Sequence, residues 1–318
     1  MNGAEILVTI LIPTRNRAHL LKRTLISVTQ QAIASMEVCI IDNNPDAIAS
    51  DAVKQMVNEF EQTYPHISWK HFHSNKPFAA GARNDGMKIA KGKYICLLDD
   101  DDELLDKSIA IRVNHMMADP DIALLYCAAK ANIYPYPLPM YRYYRYNEKK
   151  HREGLMMMSC SCIIINKKSF ENNNLWFDKR LRRMEDYDLC RRVIVLGLKV
   201  KSIPEALVRV NLHPDTRMSS NHLDDHDFRH ILISKWGTEI KEYMNNYGEG
   251  IFIWRQCFGI QNPGYKDVCQ LLTSYMDRKP SISFKARYLL LSISPVAFLG
   301  VYHLFVMVSQ FYKNRLSK

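Results

Sequence analysis

Along the first hundred positions, short continuous apolar runs alternate with segments in which apolar residues recur every three or four positions. The short runs have the length and composition of buried strands, and they are residues 6–12, 36–41, 67–72 and 94–98. Helical spacing lies between them, first where Leu21, Leu25 and Val28 recur, then over residues 47–60 and from residue 77 to Gly92. This alternation predicts an α/β fold in which a right-handed, mostly parallel, Rossmann-like sheet is flanked by helices.

Polar residues follow three of the predicted strands at their carboxyl ends. After the first strand come Pro13, Thr14, Arg15 and Asn16, after the second come Asp42, Asn43 and Asn44, and after the fourth come four aspartates. Each group alone is typical of a loop, and Asp42 could either close an Asx turn or accept hydrogen bonds from a base or ribose. In a doubly wound sheet these ends meet at one crevice where ligands bind, so their convergence indicates a binding site.

The four aspartates, Asp99, Asp100, Asp101 and Asp102, carry the strongest chemical signal. Adjacent carboxylates repel one another unless a positive charge lies among them. Hard cations such as Mg²⁺ and Mn²⁺ prefer oxygen ligands of this kind and often bridge to substrate phosphates. The alternative is a solvated acidic turn in which an aspartate caps the next helix. Because an apolar strand leads directly into the run, we favour a metal site.

Beyond residue 104 the pattern is less regular. A helix is predicted over residues 104–117, and strands are predicted at residues 122–129, 159–166 and 208–213. The segment between residues 133 and 158 is rich in Pro, Tyr and Arg and has no clear period. Long segments of this kind are often lids or binding loops.

A second acidic group, Glu185 and Asp186, precedes a helix that Gly197 ends. Acids at a helix N-terminus are favoured by the macrodipole, which could explain one of them. A carboxylate held by the first-turn amides could equally serve as a general base. His213 ends the last predicted strand. It is either an ordinary surface or core residue, or a group that ligates the same cation or contacts phosphate.

The formal net charge of +10 is segregated along the chain. Seven basic residues and no acid lie between residues 278 and 318, and a second cluster interleaves Arg and Lys with Tyr at residues 141–152. This distribution predicts an anionic partner. Residues 288–312 contain no charged side chain and have basic flanks, so we expect them to lie in an anionic membrane surface. The alternatives are a spanning helix and a buried C-terminal helix.

The composition is that of an ordinary globular protein that can bury a large core, with 47% hydrophobic and 24% charged residues. The eight cysteines show no zinc-binding spacing, since Cys160 and Cys162 are separated by one residue. No secretory signal is recognisable at the first residues, so we expect reduced thiols and a cytoplasmic catalytic domain.

Five motifs in order resemble those of glycosyltransferase family 2, whose members have the GT-A fold. They are the opening motif at residues 12–17, the nucleobase and ribose site at 42–44, the Ala-Arg-Asn motif at 81–86, the strand with the DXD metal site at 91–102, and the Glu-Asp base motif at 185–189. The resemblance extends from about residue 6 to about residue 217. Five motifs at suitable spacing are far more specific than any one of them.

The resemblance implies a division of roles. Asp186 would be the catalytic base, with Glu185 beside it, and Asp101 and Asp99, completed by His213, would hold Mn²⁺ or Mg²⁺. The residues implied in nucleotide-sugar binding are Pro13, Thr14, Arg15, Asn16, Asp42, Asn43, Asn44, Gly81, Arg83, Asn84, Asp99 and Asp100. Among these, Asp100 would lie near the ribose, and Arg83 or Arg15 would help to neutralise the leaving diphosphate.

The implied reaction is an inverting transfer of a sugar from a nucleoside diphosphate, expected to be UDP, to a hydroxyl of a glycan or lipid-linked acceptor. Bacterial cell-surface polysaccharide or lipopolysaccharide synthesis is the expected setting, at the cytoplasmic face of the cell membrane as a peripheral or monotopic protein. The expected organisation is a GT-A domain at residues 1–220, divided at residue 103 into nucleotide-binding and acceptor halves, a helical extension at 221–280, and a membrane-associating segment at 281–318.

Two functions from other classes stay open on the sequence alone. A Mg²⁺-dependent nucleotidyltransferase would use a similar sheet but would need a basic residue around a triphosphate near the first loop. A non-enzymatic nucleic-acid-binding protein would explain the net charge and the cluster of Tyr and Arg. It would not explain acids at the sheet edge, because these repel phosphates, so we expect no nucleic-acid partner.

Overall fold

The computed structural model describes residues 5–33, 35–76, 78–133, 142–144 and 159–212, together with residue 231 and residues 234–236. Within these residues nine strands form one sheet, and helices cover both of its faces. The predicted α/β fold class is therefore confirmed.

The first half of the sheet is parallel throughout. Its strands are β1 (Val8–Thr14), β2 (Met36–Asp42), β3 (Ser68–His73) and β4 (Tyr94–Leu97), in the spatial order β3-β2-β1-β4. The connecting helices are α1 (Ala18–Thr29), α2 (Ala47–Thr63) and α3 (Phe78–Ile89). The chain crosses from β3 over β1 to β4, so the carboxyl ends of β1 and β4 form the switch point at which α/β sheets bind ligands.

The second half of the sheet mixes the two strand directions. Its elements are β5 (Glu103–Leu104), α4 (Ser108–Ala118), β6 (Ile122–Ile133), β7 (Arg142–Tyr144), β8 (Ile163–Asn166), α5 (Lys167–Asn172), α6 (Glu185–Val195) and β9 (Lys199–Leu212). Strand β8 lies antiparallel between β4 and β6, whereas β9 pairs parallel with β6 and antiparallel with β5. The expectation of a mostly parallel sheet thus holds for the first half only.

Side chains of β1 alternate between two apolar cores, as the period of a strand requires. Ile10 and Ile12 lie in the core that includes residues of α1, α2 and α4, and Leu11 lies in the core that includes residues of α3, α5 and α6. Helix α3 approaches the sheet closely at Gly86, where an added Cβ would come within 2.6 Å of the Leu11 side chain. A glycine at this position therefore lets α3, which carries Arg83, pack directly on β1 and β2.

Three predicted elements begin at different residues in the structure. The helix predicted from residue 104 begins at Ser108, because residues 103–104 pair with β9 and the Leu105 amide donates to the Leu207 carbonyl. The strand predicted from residue 159 begins after a single 3-10 turn (Cys160–Cys162), and the strand predicted at 208–213 is the end of β9. Partners far along the chain, which local patterns do not report, decide all three.

Several predictions lie outside the described residues. They concern His213, the apolar segment 288–312, the domain boundaries at 220 and 280, and most of the segment 134–158, of which residues 142–144 form β7. Within the part of the chain that the structure describes, no helix combines the length and apolar character needed to cross a bilayer.

Candidate active site

The acidic run forms a tight turn directly after β4, at the switch point of the sheet. The Thr24 hydroxyl, from α1, donates to the backbone carbonyls of Asp100 and Asp102 at 2.9 and 2.8 Å. A further backbone bond joins the Asp102 amide to the Asp99 carbonyl. The turn is thus fixed to α1 through its backbone, which leaves the carboxylates for other partners.

Three of the four carboxylates come together. One oxygen each from Asp99, Asp101 and Asp102 lies within 4.8 Å of the others, and Asp101 and Asp102 are buried while Asp99 is half-buried. Three carboxylate oxygens at this spacing are the donor set of a hard divalent cation, so the residues present fit Mg²⁺ or Mn²⁺. The sequence named Asp99 and Asp101 for this role. Asp102 is a third candidate that it missed.

Asp102 is the most constrained of the three carboxylates. Its oxygens accept a hydrogen bond from the Ser161 hydroxyl at 2.6 Å and one from the Asn211 amide at 3.0 Å. Burial raises the pKa of Asp102 well above its usual range, and the neighbouring carboxylates raise it further against the effect of these hydrogen bonds. A cation at this carboxylate would oppose that shift by favouring the ionised form.

Ser161 ties the acidic turn to the 3-10 turn before β8. Besides donating to Asp102, its hydroxyl accepts a hydrogen bond from the Asp99 amide at 3.0 Å, and the residue is fully buried. We expect Ser161→Ala to lower the free energy of unfolding by about 1–3 kcal/mol, because it leaves a buried amide and a buried carboxylate without this partner. Urea unfolding measures this loss, and Ser169→Ala, in α5, is a control from a site away from the turn. An equal effect of both variants would contradict the assigned role.

Asp100 is not part of this group and is fully buried. Its carboxylate accepts a hydrogen bond from the Thr14 hydroxyl at 2.7 Å and forms an ion pair with Arg17 at 2.6 Å. Burial raises the pKa of Asp100 to about 7 in spite of the opposing effect of Arg17. Its structural role is therefore to anchor the end of β1, whereas the contact with ribose stays a prediction.

Arg83 joins the acidic turn to the second acidic group. Its guanidinium donates to Asp99 at 2.6 Å and to Glu185 at 2.6 Å, and it lies over the Phe177 ring. The Arg83 and Glu185 side chains are buried, whereas that of Asp99 is 28% exposed. Two motifs about a hundred residues apart are thus held side by side by one buried cation.

Asp186 lies in the first turn of α6, next to this ion pair. Met184 precedes the helix with a φ of 58°, and this left-handed residue turns the chain into α6. One Asp186 oxygen accepts a hydrogen bond from the Tyr187 amide at 2.8 Å, and the residue is half-buried. Burial, followed by the charge of Glu185, raises the pKa of Asp186 to about 7. A carboxylate that titrates near neutrality is suited to general-base catalysis.

Asp42 ends β2 on the other side of the switch point. Its buried carboxylate accepts hydrogen bonds from the Asn44 amide, the Ser50 hydroxyl and His71. Burial raises the pKa of Asp42, but these hydrogen bonds outweigh it and lower the pKa to about 2. Asp42 is therefore a fixed anion at the edge of the crevice.

Of the other residues predicted at the nucleotide site, some lie exposed at the crevice and others are buried and hold its loops in place. The Asn43 amide donates to the Ser74 and Lys76 carbonyls, and the Asn84 amide exchanges two hydrogen bonds with the Phe177 backbone. Gly81 allows α3 to pass close to Lys76. Pro13 lies buried within β1, and Arg15 and Asn16 are exposed just beyond it. The Asn16 amide donates to the Asn44 side chain, which joins the first two loops.

Sequence reasoning missed residues that shape the acidic turn from a distance. These are Thr24, Arg17, Ser161, Asn211 and, beside Asp42, His71. Arg17 belongs to the opening motif, so its position was a usable signal. Nothing in the local sequence marks Ser161 or Asn211, since each acts only through a partner at least fifty residues away.

Comparison with known families gives one match that covers most of this site. The family described as Glycosyl transferase family 2 matches residues 9–173. Among curated relatives, the amylovoran biosynthesis glycosyltransferase AmsB of Erwinia amylovora is 26% identical over 230 residues, which are 69% of this chain and 73% of AmsB. The Escherichia coli enzyme named UDP-Glc:alpha-D-GlcNAc-diphosphoundecaprenol beta-1,3-glucosyltransferase WfaP is 26% identical over 62% of this chain and 73% of its own length.

Two solved structures share the architecture. S. aureus TarS in complex with UDP-GlcNAc has a TM-score of 0.57 at 17% identity, covering 71% of this chain and 64% of that one. The mannosyltransferase PcManGT of Pyrobaculum calidifontis, in complex with GDP-Man and Mn²⁺, has a TM-score of 0.58 at 13% identity, covering 93% of this chain and 87% of that one. At such identities the likeness concerns the fold alone, and it confirms the predicted GT-A architecture.

Proposed function

Because this chain belongs to glycosyltransferase family 2, we propose that it transfers a sugar from a nucleoside-diphosphate donor to an acceptor hydroxyl with inversion at the anomeric carbon. The observation that carries this proposal is the Arg83 bridge, at 2.6 Å to both Asp99 and Glu185. It holds a candidate cation site and a candidate base at one crevice, which is what a displacement at a diphosphate-activated sugar requires.

The donor's nucleoside would lie between the ends of β1 and β2. There the exposed Arg15 and Asn16 offer donors and acceptors for a base and a ribose, next to the loop that the buried Asp42 anion holds in place. We propose UDP as the nucleoside diphosphate. The name of WfaP and the ligand of TarS support this choice, whereas the GDP-Man in PcManGT makes GDP the first alternative to test.

The diphosphate would lie against the acidic turn. Asp99, Asp101 and Asp102 would hold Mn²⁺ or Mg²⁺, with His213 as a further proposed ligand. Such a cation neutralises the charge that develops on a leaving diphosphate. Arg83 would supply a second positive charge beside it, held in place by Glu185.

Asp186 would remove the proton of the acceptor hydroxyl as its oxygen attacks the anomeric carbon. It stands on the first turn of α6, half-buried and with a pKa of about 7, so a useful fraction is ionised near neutral pH. With the leaving diphosphate at the acidic turn and the base on the opposite side of the sugar, a single displacement would invert the anomeric centre.

We further propose a glycan or lipid-linked acceptor, in bacterial cell-surface polysaccharide or lipopolysaccharide synthesis. The names of AmsB and WfaP support this setting, since they refer to amylovoran and to a diphosphoundecaprenol acceptor. The basic, apolar C-terminal segment would bind an anionic membrane surface on its cytoplasmic face, where such acceptors could be reached. Family membership favours glycosyl transfer over the nucleotidyltransferase and nucleic-acid-binding alternatives.

Thermal stabilisation by nucleotides tests the donor and the cation together. We expect a rise in melting temperature with UDP or a UDP-sugar in the presence of Mn²⁺, equivalent to about 2.7 kcal/mol at a ligand concentration of 100 times Kd. In Asp101→Asn the Mn²⁺-dependent part of this rise should disappear, whereas Asp106→Asn, an exposed neighbour, should behave like the wild type. Stabilisation by GDP compounds alone would show that the donor carries guanine instead of uracil. If no nucleoside diphosphate stabilises the protein, the proposed function is overturned.

A further inference from the structure

We infer that Arg17 is a positioning residue that holds Asp101 while the cation is absent and turns to the donor's diphosphate when Asp101 binds the cation. This inference rests on the proposed function and assigns a role to a residue that the proposed reaction does not yet use. It makes the binding of cation and donor mutually dependent through one side chain.

Arg17 bridges two neighbouring carboxylates in unequal environments. One of its terminal nitrogens lies 2.6 Å from Asp100, which is fully buried, and the other lies 3.0 Å from Asp101, whose side chain is 12% exposed. The Arg17 side chain itself is 23% exposed. The contact with Asp100 is therefore the shorter and better shielded one, and the contact with Asp101 lies nearer to solvent.

The contact with Asp101 lies where a cation would bind. Asp101 is one of the three carboxylates whose oxygens cluster within 4.8 Å, and one of its oxygens accepts a hydrogen bond from Arg17. A guanidinium that donates to this carboxylate and a divalent cation bound to it repel each other at short range. Cation binding at Asp101 is therefore expected to weaken this contact, whereas the contact of Arg17 with Asp100, which lies outside the cluster, can be kept throughout.

The position of Arg17 in the fold favours a second anionic partner beside Asp100. Arg17 immediately precedes α1, and its carbonyl accepts from the Leu20 and Leu21 amides of that helix. A positive side chain is disfavoured at the N-terminus of a helix, where the macrodipole is also positive. Two carboxylates offset this cost in the structure. Once Asp101 binds a cation, a phosphate oxygen of the donor would take its place as the acceptor of a charge-assisted hydrogen bond.

Arg23, which lies within α1, provides a matched control. It donates to the backbone carbonyl of Asp101 at 3.0 Å and pairs with Glu103 at 3.3 Å, so it lies beside the same turn. These contacts involve the Asp101 backbone and a carboxylate outside the cluster. Replacing Arg23 by Gln thus removes the same charge near the same site without freeing the Asp101 carboxylate.

The test compares Arg17→Gln with Arg23→Gln in two binding measurements on the full chain. Binding of Mn²⁺ without nucleotide is measured from the electron paramagnetic resonance signal of free Mn²⁺. Binding of UDP at saturating Mn²⁺ is measured by isothermal titration calorimetry. We expect Arg17→Gln to bind Mn²⁺ about tenfold more tightly and UDP about tenfold more weakly, the effect of one charge-assisted hydrogen bond. Arg23→Gln should change each constant by less than about threefold, as a screened surface charge does. If Arg17 only stabilised the fold, its replacement would not be expected to strengthen Mn²⁺ binding and weaken UDP binding in the same variant.

The outcomes separate this inference from the proposed function. Equal effects of the two variants would show a general charge effect and overturn the inference, and so would weaker Mn²⁺ binding in a folded Arg17→Gln. If Arg17→Gln does not fold, Arg17→Lys takes its place, because it keeps the charge but offers a single nitrogen. This variant should bind Mn²⁺ more tightly than the wild type. Unchanged Mn²⁺ binding would overturn the inference. Failure of the wild type itself to bind Mn²⁺ and any nucleoside diphosphate would overturn the proposed function instead.

Discussion

Asp186→Asn is expected to reduce glycosyl transfer by about a hundredfold to ten-thousandfold while leaving the affinity for the donor unchanged, because it removes a general base without altering the cation site. Asp186 stands at the N-terminus of α6, and the carboxylates that would hold the cation follow β4. Asparagine keeps the size of the side chain and can still accept from the Tyr187 amide. Turnover and donor affinity, measured on the same preparation, check the prediction.

The dependence of the rate on pH gives the matching control. Burial and the charge of Glu185 raise the pKa of Asp186 to about 7, and only its ionised form can accept a proton. The wild-type kcat/KM should therefore fall as the pH decreases through about 7, and this limb should be missing from the residual rate of Asp186→Asn. Loss of donor binding in a folded variant, or an unchanged rate, would contradict the assignment of the base.

Arg83→Met is expected to lower the free energy of unfolding by about 3–5 kcal/mol, because breaking a buried ion pair leaves an uncompensated charge in the interior. Most of this loss should come from Glu185, whose side chain is 8% exposed, rather than from Asp99, whose side chain is 28% exposed and more easily solvated. Methionine fills much of the same volume without the charge, so the effect of packing stays small. Urea unfolding at neutral pH measures the difference.

The double variant Arg83→Met with Glu185→Gln tests the physical cause. It removes the stranded negative charge, so it should recover part of the stability that Arg83→Met loses, whereas independent sites would give additive losses. A double variant that is less stable than Arg83→Met would show that the ion pair is not the source of the effect. A stable Arg83→Met without transferase activity would point to a role for Arg83 at the diphosphate alone.

The first half of the fold could be predicted from the sequence because each of its strands is a short, continuous apolar run. The runs at 6–12, 36–41, 67–72 and 94–98 are β1 to β4 to within two residues at either end, and each is followed by its own helix. The second half could not be predicted equally well. Leu104 was predicted to begin a helix, and only the pairing of residues 103–104 with Val208 and Arg209 makes them a strand.

The chemistry of the site was more predictable than its geometry. The acids after β4 and those at the start of α6 were predicted to share one crevice, and Arg83 contacts one residue of each group, Asp99 and Glu185. The sequence could not predict which of the four aspartates has which role. The roles depend on which carboxylate contacts Ser161 and which contacts Thr14. Four identical residues in a row carry no local information about these directions.

The contacts that hold the acidic turn have a consequence for folding during synthesis of the chain. The groups that hold the turn are the side chains of Thr24 and Ser161 and, at the end of β9, the backbone amide of Asn211, which lies 109 positions beyond Asp102. A nascent chain therefore contains the complete acidic run long before Asn211, the last residue that holds it, has been synthesised. Contacts over such separations form late and slowly in folding. A truncated or unfinished copy that ends before β9 would contain every motif of the nucleotide half and still lack the Asn211 contacts and the β5–β9 pairing that complete the acidic turn.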